Sequence, residues 1–295
     1  MERAFRLDEN DERILMELDQ LYKRLHRPHE QRLAFLQKYP QLILRRDDLV
    51  LEEITLLNQT GRYEEAMQRL DARVFHPWEG GEGKVSAQYQ ICRVELAKQA
   101  IVDKKYERAI TLLNECLEYP HHLGEGKLYG AQESDFYYLL GVAYDAVNKK
   151  AKALACWEEA TKGPQEPAAA IYYNDAKPDK IFYQGLALRK LGRENEAHGR
   201  FYRLINYGKQ HIFEKQVMDY FAVSLPDLLI WEEKREDGVS ELDTKNLIHC
   251  KYMLALGYYG MGDKEHAERY LKDVEQLDNN HQGIQQFRSL INDRL

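Results

Sequence analysis

The sequence has 295 residues, of which 44% are hydrophobic and 31% are charged, and its formal net charge is −7. Lysines and arginines are interspersed with acidic residues, so the chain lacks the basic stripe that binds nucleic acid or an anionic membrane surface. No apolar run reaches the length of a membrane span, and the N-terminal residues MERAFRLDENDER lack the apolar stretch of a signal peptide.

Apolar residues first recur at helical spacing between residues 12 and 40. Leu15, Leu18 and Tyr22 lie three or four positions apart, which predicts one face of an amphipathic helix. A second helix with Phe35 follows, so this segment predicts a helical hairpin. The preceding residues 4–8 (AFRLD) look like the closing turn of another hairpin. We therefore expect the chain to be a piece of a longer protein, with further repeats or another domain upstream.

Two later segments share a turn that leads into a helix. The turn reads GRYEEA at 61–66 and KYERA at 105–109, with a tyrosine and an alanine at the same spacing. Each turn lies between two stretches of apolar residues at helical spacing, which predicts two more hairpins.

The clearest segment lies between residues 134 and 162. It contains Tyr137, the pair Leu140-Gly141, Ala153 and Trp157. The two small residues allow two helices to approach closely, and the large ones fill the space between them. The same spacing recurs in residues 185–201 and 254–271. Residues 282–294 predict a capping helix over the last hairpin.

These segments resemble the tetratricopeptide repeat, whose pattern combines an aromatic residue, Leu-Gly, Tyr, and then Ala with an aromatic residue. The resemblance implies an all-α superhelical solenoid of about six hairpins, with enlarged loops between them and a C-terminal capping helix. We predict a single domain over 1–295. The predicted hairpins cover about 12–40, 47–75, 88–119, 134–162, 178–207 and 247–278, with a long insertion at 208–246 and the capping helix at 282–294.

The middle hairpins recur every 43 or 44 residues, whereas a plain repeat of this type has a period of about 34. The surplus falls each time between two hairpins, so the enlarged loops should lie along one rim of the solenoid. The sequence Gly-Glu-Gly-Lys occurs in two of these loops, starting at Gly81 and at Gly124. The two copies should therefore form the same loop in successive layers.

These loops also carry unusual chemistry, because aromatic rings, carboxylates and lysines converge on one rim. Insertions on one edge of a solenoid often mark its binding face. The candidate ligand-binding residues of the rim are Trp78, Glu79, Glu82, Lys84, Glu125, Lys127, Tyr172, Tyr173, Asn174, Asp175, Tyr220 and Asp227.

Two interpretations of the repeated loop stay open. The loop fails the Walker pattern, which needs an earlier glycine and a Ser or Thr after the lysine. The glycines therefore form either a structural turn or a contact with a ligand.

Rim carboxylates could also serve as the acid and base of a sugar-cleaving enzyme. No nucleophile elbow, zinc motif, kinase motif or dinucleotide fingerprint occurs, which favours a protein that is not an enzyme.

The remaining polar motifs do not predict a cofactor or a metal. His121 and His122 are adjacent and point apart, and no third ligand has helical spacing to them. The four cysteines show no CxxC spacing and fit reduced thiols, which predicts a cytoplasmic protein.

A second candidate site is the concave groove, which the first helix of each hairpin should line. By register its face includes aromatic and charged residues, which suit an extended peptide. The predicted groove residues are Asp135, Tyr138, Asp179, Phe182, Arg189 and Tyr252. The lysine and asparagine clamp of chaperone-binding relatives is absent, because Thr55, Val142, Leu186 and Leu256 occupy the matching positions.

A narrower resemblance rests on the motifs HPWEGGEGKV, LGEGKL, IYYND and YFAVSLPD. They look like the C-terminal repeat region of large bacterial proteins that carry an N-terminal all-β domain of uncharacterised function. This resemblance implies a bacterial module linked to carbohydrate metabolism. Our first hypothesis is a non-catalytic scaffold whose partner is a protein, a peptide or an upstream domain of the same protein. The alternative is a carbohydrate-binding or carbohydrate-processing component.

Overall fold

A computed structural model describes residues 1–78, 80–169, 177–215, 240–293 and 295, and it contains fifteen α-helices within these ranges. Glu79 and residues 170–176, 216–239 and 294 lie outside the described part of the chain. The helices are α1 (Glu2–Leu7), α2 (Glu12–Arg24), α3 (His29–Leu36), α4 (Pro40–Ile43), α5 (Asp47–Gln59), α6 (Tyr63–Asp71), α7 (Lys84–Val102), α8 (Tyr106–Cys116), α9 (Ser134–Ala146), α10 (Lys150–Ala160), α11 (Pro178–Lys190), α12 (Glu194–His211), α13 (Glu241–Gly260), α14 (Lys264–Leu277) and α15 (Gln282–Asn292).

Helices that follow one another along the chain pack as hairpins, and each hairpin packs against the next. Helix α9 contacts α10 within its hairpin and α8 of the preceding one, and α12 contacts α13 of the following one. The first helices also contact each other in order, from α5 through α7, α9 and α11 to α13. The prediction of an all-α solenoid is confirmed, and these first helices form its inner wall.

Small residues allow the two helices of a hairpin to approach closely. A β-carbon on Gly141 would lie 2.2 Å from the Trp157 ring, and one on Gly185 would lie 2.3 Å from the Phe201 ring. Ala153 is completely buried against the same packing layer. The aromatic ring of the second helix therefore fills the space that the glycine leaves on the first.

We expect Gly185→Ala to lower the free energy of unfolding by about 1–3 kcal/mol, because the added methyl group overlaps the Phe201 ring. Gly199, in the same hairpin, is the matched control, since a β-carbon there has no neighbour within 4 Å. Gly199→Ala should raise stability by up to about 1 kcal/mol through helix propensity alone. Urea denaturation of both variants measures this difference, and equal effects would contradict the packing described here.

The two ends of the solenoid approach each other. Arg24 on α2 forms an ion pair with Glu241 on α13, with 3.1 Å between Nη2 and Oε2. The segment between α14 and α15 also contacts the first hairpin, where Asn279 Oδ1 lies 2.9 Å from His26 Nδ1. Asn280 Oδ1 accepts a hydrogen bond of 3.2 Å from Arg32 Nη1. These contacts join the last repeat to the first.

The sequence had suggested that α15 only covers the last hairpin. The structure shows that the helix makes further contacts. It contacts that hairpin through Arg288, which pairs with Glu268 and Glu275 on α14. Its other side lies against α7, far away in sequence. The helix thus lies across the inner wall of the solenoid, between the last hairpin and the third.

Candidate functional site

The two Gly-Glu-Gly-Lys loops contact each other directly. The Phe75 backbone N–H, before the first loop, donates a hydrogen bond of 2.8 Å to the carbonyl oxygen of His122, before the second. A β-carbon on Gly124 would lie 2.5 Å from the Phe75 carbonyl oxygen, and Gly124 has a φ of +74°. Only glycine fits this close approach without strain. The loops lie in successive layers, as the spacing had indicated.

Glu125 of the second loop caps a helix that begins in the first. Its carboxylate accepts hydrogen bonds of 2.8 Å from the backbone N–H groups of Gly83 and Ser86, at the start of α7. The first N–H groups of a helix have no partner within the helix and favour a negative charge. Glu125 satisfies two of them from a neighbouring layer, so this rim carboxylate has a structural role.

The other described rim residues are placed as follows. Trp78 is half-buried and covers Gly81, where a β-carbon would lie 2.3 Å from its ring. Lys127 pairs with Glu133 at 2.5 Å and donates a hydrogen bond to the carbonyl oxygen of Leu117. Glu82 and Lys84 are exposed. The remaining predicted rim residues lie outside the described ranges: Glu79, Tyr172, Tyr173, Asn174, Asp175, Tyr220 and Asp227. Carbohydrate binding at this rim stays a prediction.

We expect Glu125→Gln to lower the free energy of unfolding by about 0.5–2 kcal/mol, because α7 loses a charged cap. Glu82→Gln in the first loop removes an exposed carboxylate and should change stability by less than about 0.5 kcal/mol. Thermal or urea unfolding of both variants tests the capping role. A large loss in the Glu82 variant alone would contradict it.

The inner wall of the solenoid is occupied by α15, and we call the surface that it covers the concave groove. The groove is formed by α7, α9, α11 and α13, and its described residues include Glu95, Lys98, Asp135, Asp179, Phe182, Tyr183 and Tyr252. Helix α15 presents Ile284, Phe287 and Leu290 to the core, and all three are at most 3% exposed.

Aromatic rings hold the centre of α15. The Phe287 ring packs edge-to-face on Phe182 of α11, with 5.3 Å between the ring centres, and on Tyr259 of α13, with 5.2 Å. The Tyr252 hydroxyl donates a hydrogen bond of 3.0 Å to the carbonyl oxygen of Gly283. Edge-to-face pairs stabilise beyond the apolar area that they bury. Phe287 is therefore the main apolar contact between α15 and the groove.

A polar cluster holds the side of α15 that faces α7. Lys98 Nζ is 2.7 Å from Glu95 Oε1, and it donates hydrogen bonds to the Gln286 carbonyl oxygen at 2.8 Å and to Ser289 Oγ at 3.1 Å. Ser289 Oγ in turn donates to Glu95 Oε2 at 2.6 Å. Lys98 is 1% exposed and Glu95 is 3% exposed. Two buried charges on α7 thus recognise a hydroxyl and a backbone carbonyl on α15.

Four of the six predicted groove residues line this site, and two lie beside it. Asp135, Asp179, Phe182 and Tyr252 surround a cavity of about 10 Å³ next to Gln286 and Phe287 of α15, which has room for about one water molecule. Tyr138 packs on the Tyr183 ring, and Arg189 pairs with Glu194 and lies over the Phe201 ring.

Burial controls the ionisation of the groove residues. It raises the pKa of Asp135, and the Lys180 ammonium at 2.6 Å opposes that rise. Burial also raises the pKa of Tyr252 well above its ordinary value, so its hydroxyl stays a hydrogen-bond donor. The groove therefore presents a neutral phenol and paired charges to the helix that fills it.

Residues 248–281 match the family model of the tetratricopeptide repeat. The matched segment runs through α13 and α14 and ends at His281, the residue before α15. Together with the helical packing, the match supports the repeat architecture predicted from the sequence. Tetratricopeptide repeats generally mediate binding of proteins or peptides, and the match supports an interaction scaffold at this general level. No helix in the described part of the chain is both long and apolar enough to cross a membrane.

The end of this tetratricopeptide repeat forms the cap of α15. His281 Nδ1 accepts a hydrogen bond of 3.2 Å from the Ile284 N–H, and its ring packs against Tyr252. Burial lowers the pKa of His281 below 6.5, while the nearby Asp278 and Asp179 carboxylates oppose this effect. Because Nδ1 accepts a hydrogen bond from an N–H group, this cap requires the unprotonated ring nitrogen.

A second histidine contacts the same connection. His29 Nε2 lies 3.2 Å from Asn280 Oδ1. Burial lowers the pKa of His29 as well, the Arg32 guanidinium lowers it further, and the Glu30 and Asp278 carboxylates oppose both. Docking of α15 therefore favours the neutral form of His281 and of His29, which lies at the start of α3.

We expect the docking of α15 to weaken below pH 6.5, because a histidine whose pKa is lowered by docking binds its proton more readily after release. The stabilisation is complete above pH 6.5 and falls by at most about 1.4 kcal/mol per histidine for each pH unit below it. Urea unfolding at pH 7.5 and 5.5 measures the loss. His281→Asn keeps a side chain able to cap the helix, so its pH dependence should be smaller. Equal pH dependence in both proteins would contradict this role of His281.

The sequence analysis identified Phe182 and Tyr252, whose side chains contact α15, but it missed most of the polar contacts to this helix. Gln88 on α7 and Gln282 on α15 exchange a pair of amide hydrogen bonds of 2.8 and 3.0 Å. Glu95 and Ser289 were also absent from the predicted site. The one sequence signal for the contacts on α7 is that this helix carries three polar residues, Gln88, Glu95 and Lys98, on one helical face.

Proposed function

We propose that the chain is a non-catalytic scaffold that binds a helical segment of a partner protein in the concave groove. One observation carries this proposal: an amphipathic helix, α15, already occupies the groove and makes both apolar and charge-assisted contacts with it. A groove that holds one helix by alternating apolar and polar contacts has the chemistry of helix-in-groove recognition. This replaces the extended peptide that the sequence alone favoured.

The charged residues of the groove set its specificity. The Lys98–Glu95 pair needs a group that both accepts and donates a hydrogen bond, as the Ser289 hydroxyl does. Phe182 and Tyr259 need an aromatic ring two residues before that group on the same helix, as Phe287 is to Ser289. A helix that lacks either group leaves a buried polar atom unpaired or a space unfilled, and both cost binding free energy.

A selection from a library of random 15-residue peptides tests the proposal. We expect selected peptides to carry apolar residues at positions i, i+3 and i+6, like Ile284, Phe287 and Leu290. In a protein whose α15 is released by Phe287→Asp, their affinity should fall by about tenfold or more on adding Lys98→Glu, since the reversed charge opposes Glu95. It should stay unchanged for Lys127→Ala, the matched control on the rim. Peptides that lose affinity only for the rim variant would contradict binding in the groove.

The broader context of this scaffold is a further part of the proposal. The partner segment can belong to another protein or to an upstream domain of the same bacterial protein, as the resemblance of the loop motifs implies. The selection does not depend on which of these supplies the helix, because it probes the chemistry of the groove alone.

A further inference from the structure

The groove is closed by the chain's own C-terminal helix, and this closure has the features of a reversible contact. Helix α15 is joined to α14 by the short segment 278–281, so it can leave while the hairpins stay in place. The charged groups beneath it also remain paired when it leaves, since Lys98 lies 2.7 Å from Glu95 and Lys180 lies 2.6 Å from Asp135.

The contacts of α15 differ from those of the helices within the hairpins. A hairpin helix such as α9 or α11 is anchored by an aromatic ring that fills the space over a glycine. Helix α15 instead combines three apolar side chains with hydrogen bonds to Gln88, Glu95 and Lys98, and it leaves a cavity of about 10 Å³ beside Phe287. Polar, imperfectly filled contacts of this kind are typical of interfaces that exchange partners.

We propose that α15 acts as an internal pseudo-ligand, and that the partner which displaces it is an amphipathic helix with the same pattern. This inference rests on the proposed function and adds a closed state to it. The partner helix carries apolar residues at i, i+3 and i+6, with an aromatic ring at i+3 to contact Phe182. It also carries a serine or threonine at i+5, in the place of Ser289, to contact Lys98 and Glu95. The apparent affinity of this partner equals its affinity for the open groove multiplied by the fraction of molecules in which α15 has left the groove.

A fluorescent peptide with the sequence of residues 281–295 (HQGIQQFRSLINDRL) serves as the probe, titrated with full-chain proteins by fluorescence anisotropy. Phe287→Asp in the protein should release α15, so we expect it to bind the peptide about tenfold or more tightly than the wild type does. Asn292→Asp, on the exposed side of the same helix, is the matched control and should bind like the wild type. Ser289→Asp provides a second opened variant, because it places a carboxylate against Glu95 without removing an apolar contact.

Each outcome bears on a different claim. Equal affinity of the wild type and both opened variants for the peptide would overturn the closure by α15 and leave the proposed function intact. Absence of binding to folded, opened variants, as judged by circular dichroism, would overturn the proposed function itself. Doubling of the mass in light scattering on release of α15 would assign the groove to a second copy of this chain, and it would overturn displacement by a partner. Adding Lys98→Glu to an opened variant should abolish binding.

Discussion

Replacing Asp19 with alanine should lower the free energy of unfolding by about 3–5 kcal/mol, the largest loss that we expect from a single substitution in this chain. The Arg32 side chain is completely buried and forms two hydrogen bonds with the Asp19 carboxylate, at 2.7 and 3.1 Å. Without Asp19, the guanidinium keeps its charge but loses its most buried partner. Glu52, at 2.6 Å, compensates for only part of this loss.

Urea denaturation of Asp19→Ala measures this loss. Asp103→Ala removes an exposed ion pair with Lys105 and should cost less than about 1 kcal/mol. The double variant Asp19→Leu with Arg32→Met should recover most of the stability, because apolar side chains of similar volume need no partner charge. A loss below about 1 kcal/mol in Asp19→Ala would show that Arg32 is not held as described.

Phe287→Ala should release α15 from the groove. Truncation of a buried phenylalanine costs about 3–5 kcal/mol, and here the cost falls on the docking of one terminal helix. The ratio of released to docked α15 should rise by more than about 100-fold, because about 1.4 kcal/mol corresponds to a factor of ten. Because proteolysis follows the open population, trypsin should cleave after Arg288 correspondingly faster, while the hairpins stay folded.

The matched control for this prediction is Asn292→Ala, which changes an exposed residue of the same helix. Its cleavage after Arg288 should proceed at the wild-type rate. Unchanged cleavage in Phe287→Ala, or unfolding of the whole chain at the same rate as cleavage, would contradict a separately docked C-terminal helix.

The helical hairpins could be predicted from the sequence because their signal is local. Gly141 and Trp157 lie within one hairpin, and their spacing alone predicts that the Trp157 ring packs against the glycine of the facing helix. The stacking of the enlarged loops followed from their spacing of 43 residues. The role of Glu125 could not be predicted from this spacing, because it depends on which backbone N–H groups of another layer face its carboxylate.

The position of α15 shows why the rest could not be predicted. Ile284, Phe287 and Leu290 indicate that this helix must cover an apolar surface, and the end of the last hairpin offers one. The polar contacts that place it in the groove involve Lys98, which is about 190 residues away in sequence. No local pattern relates residues at such a separation, so only the curvature of the whole solenoid brings them together.

The most direct test of this account is hydrogen exchange of the backbone amides of α15, measured in the wild type and in Lys98→Glu. The account predicts slow exchange across residues 285–292 in the wild type and exchange at least about tenfold faster in the variant, because the groove on α7 holds the helix. Lys105→Glu, at an exposed site, should leave the exchange unchanged. Exchange of α15 in the wild type at the rate of an unstructured peptide, or equal protection in Lys98→Glu, would contradict occupation of the groove by this helix.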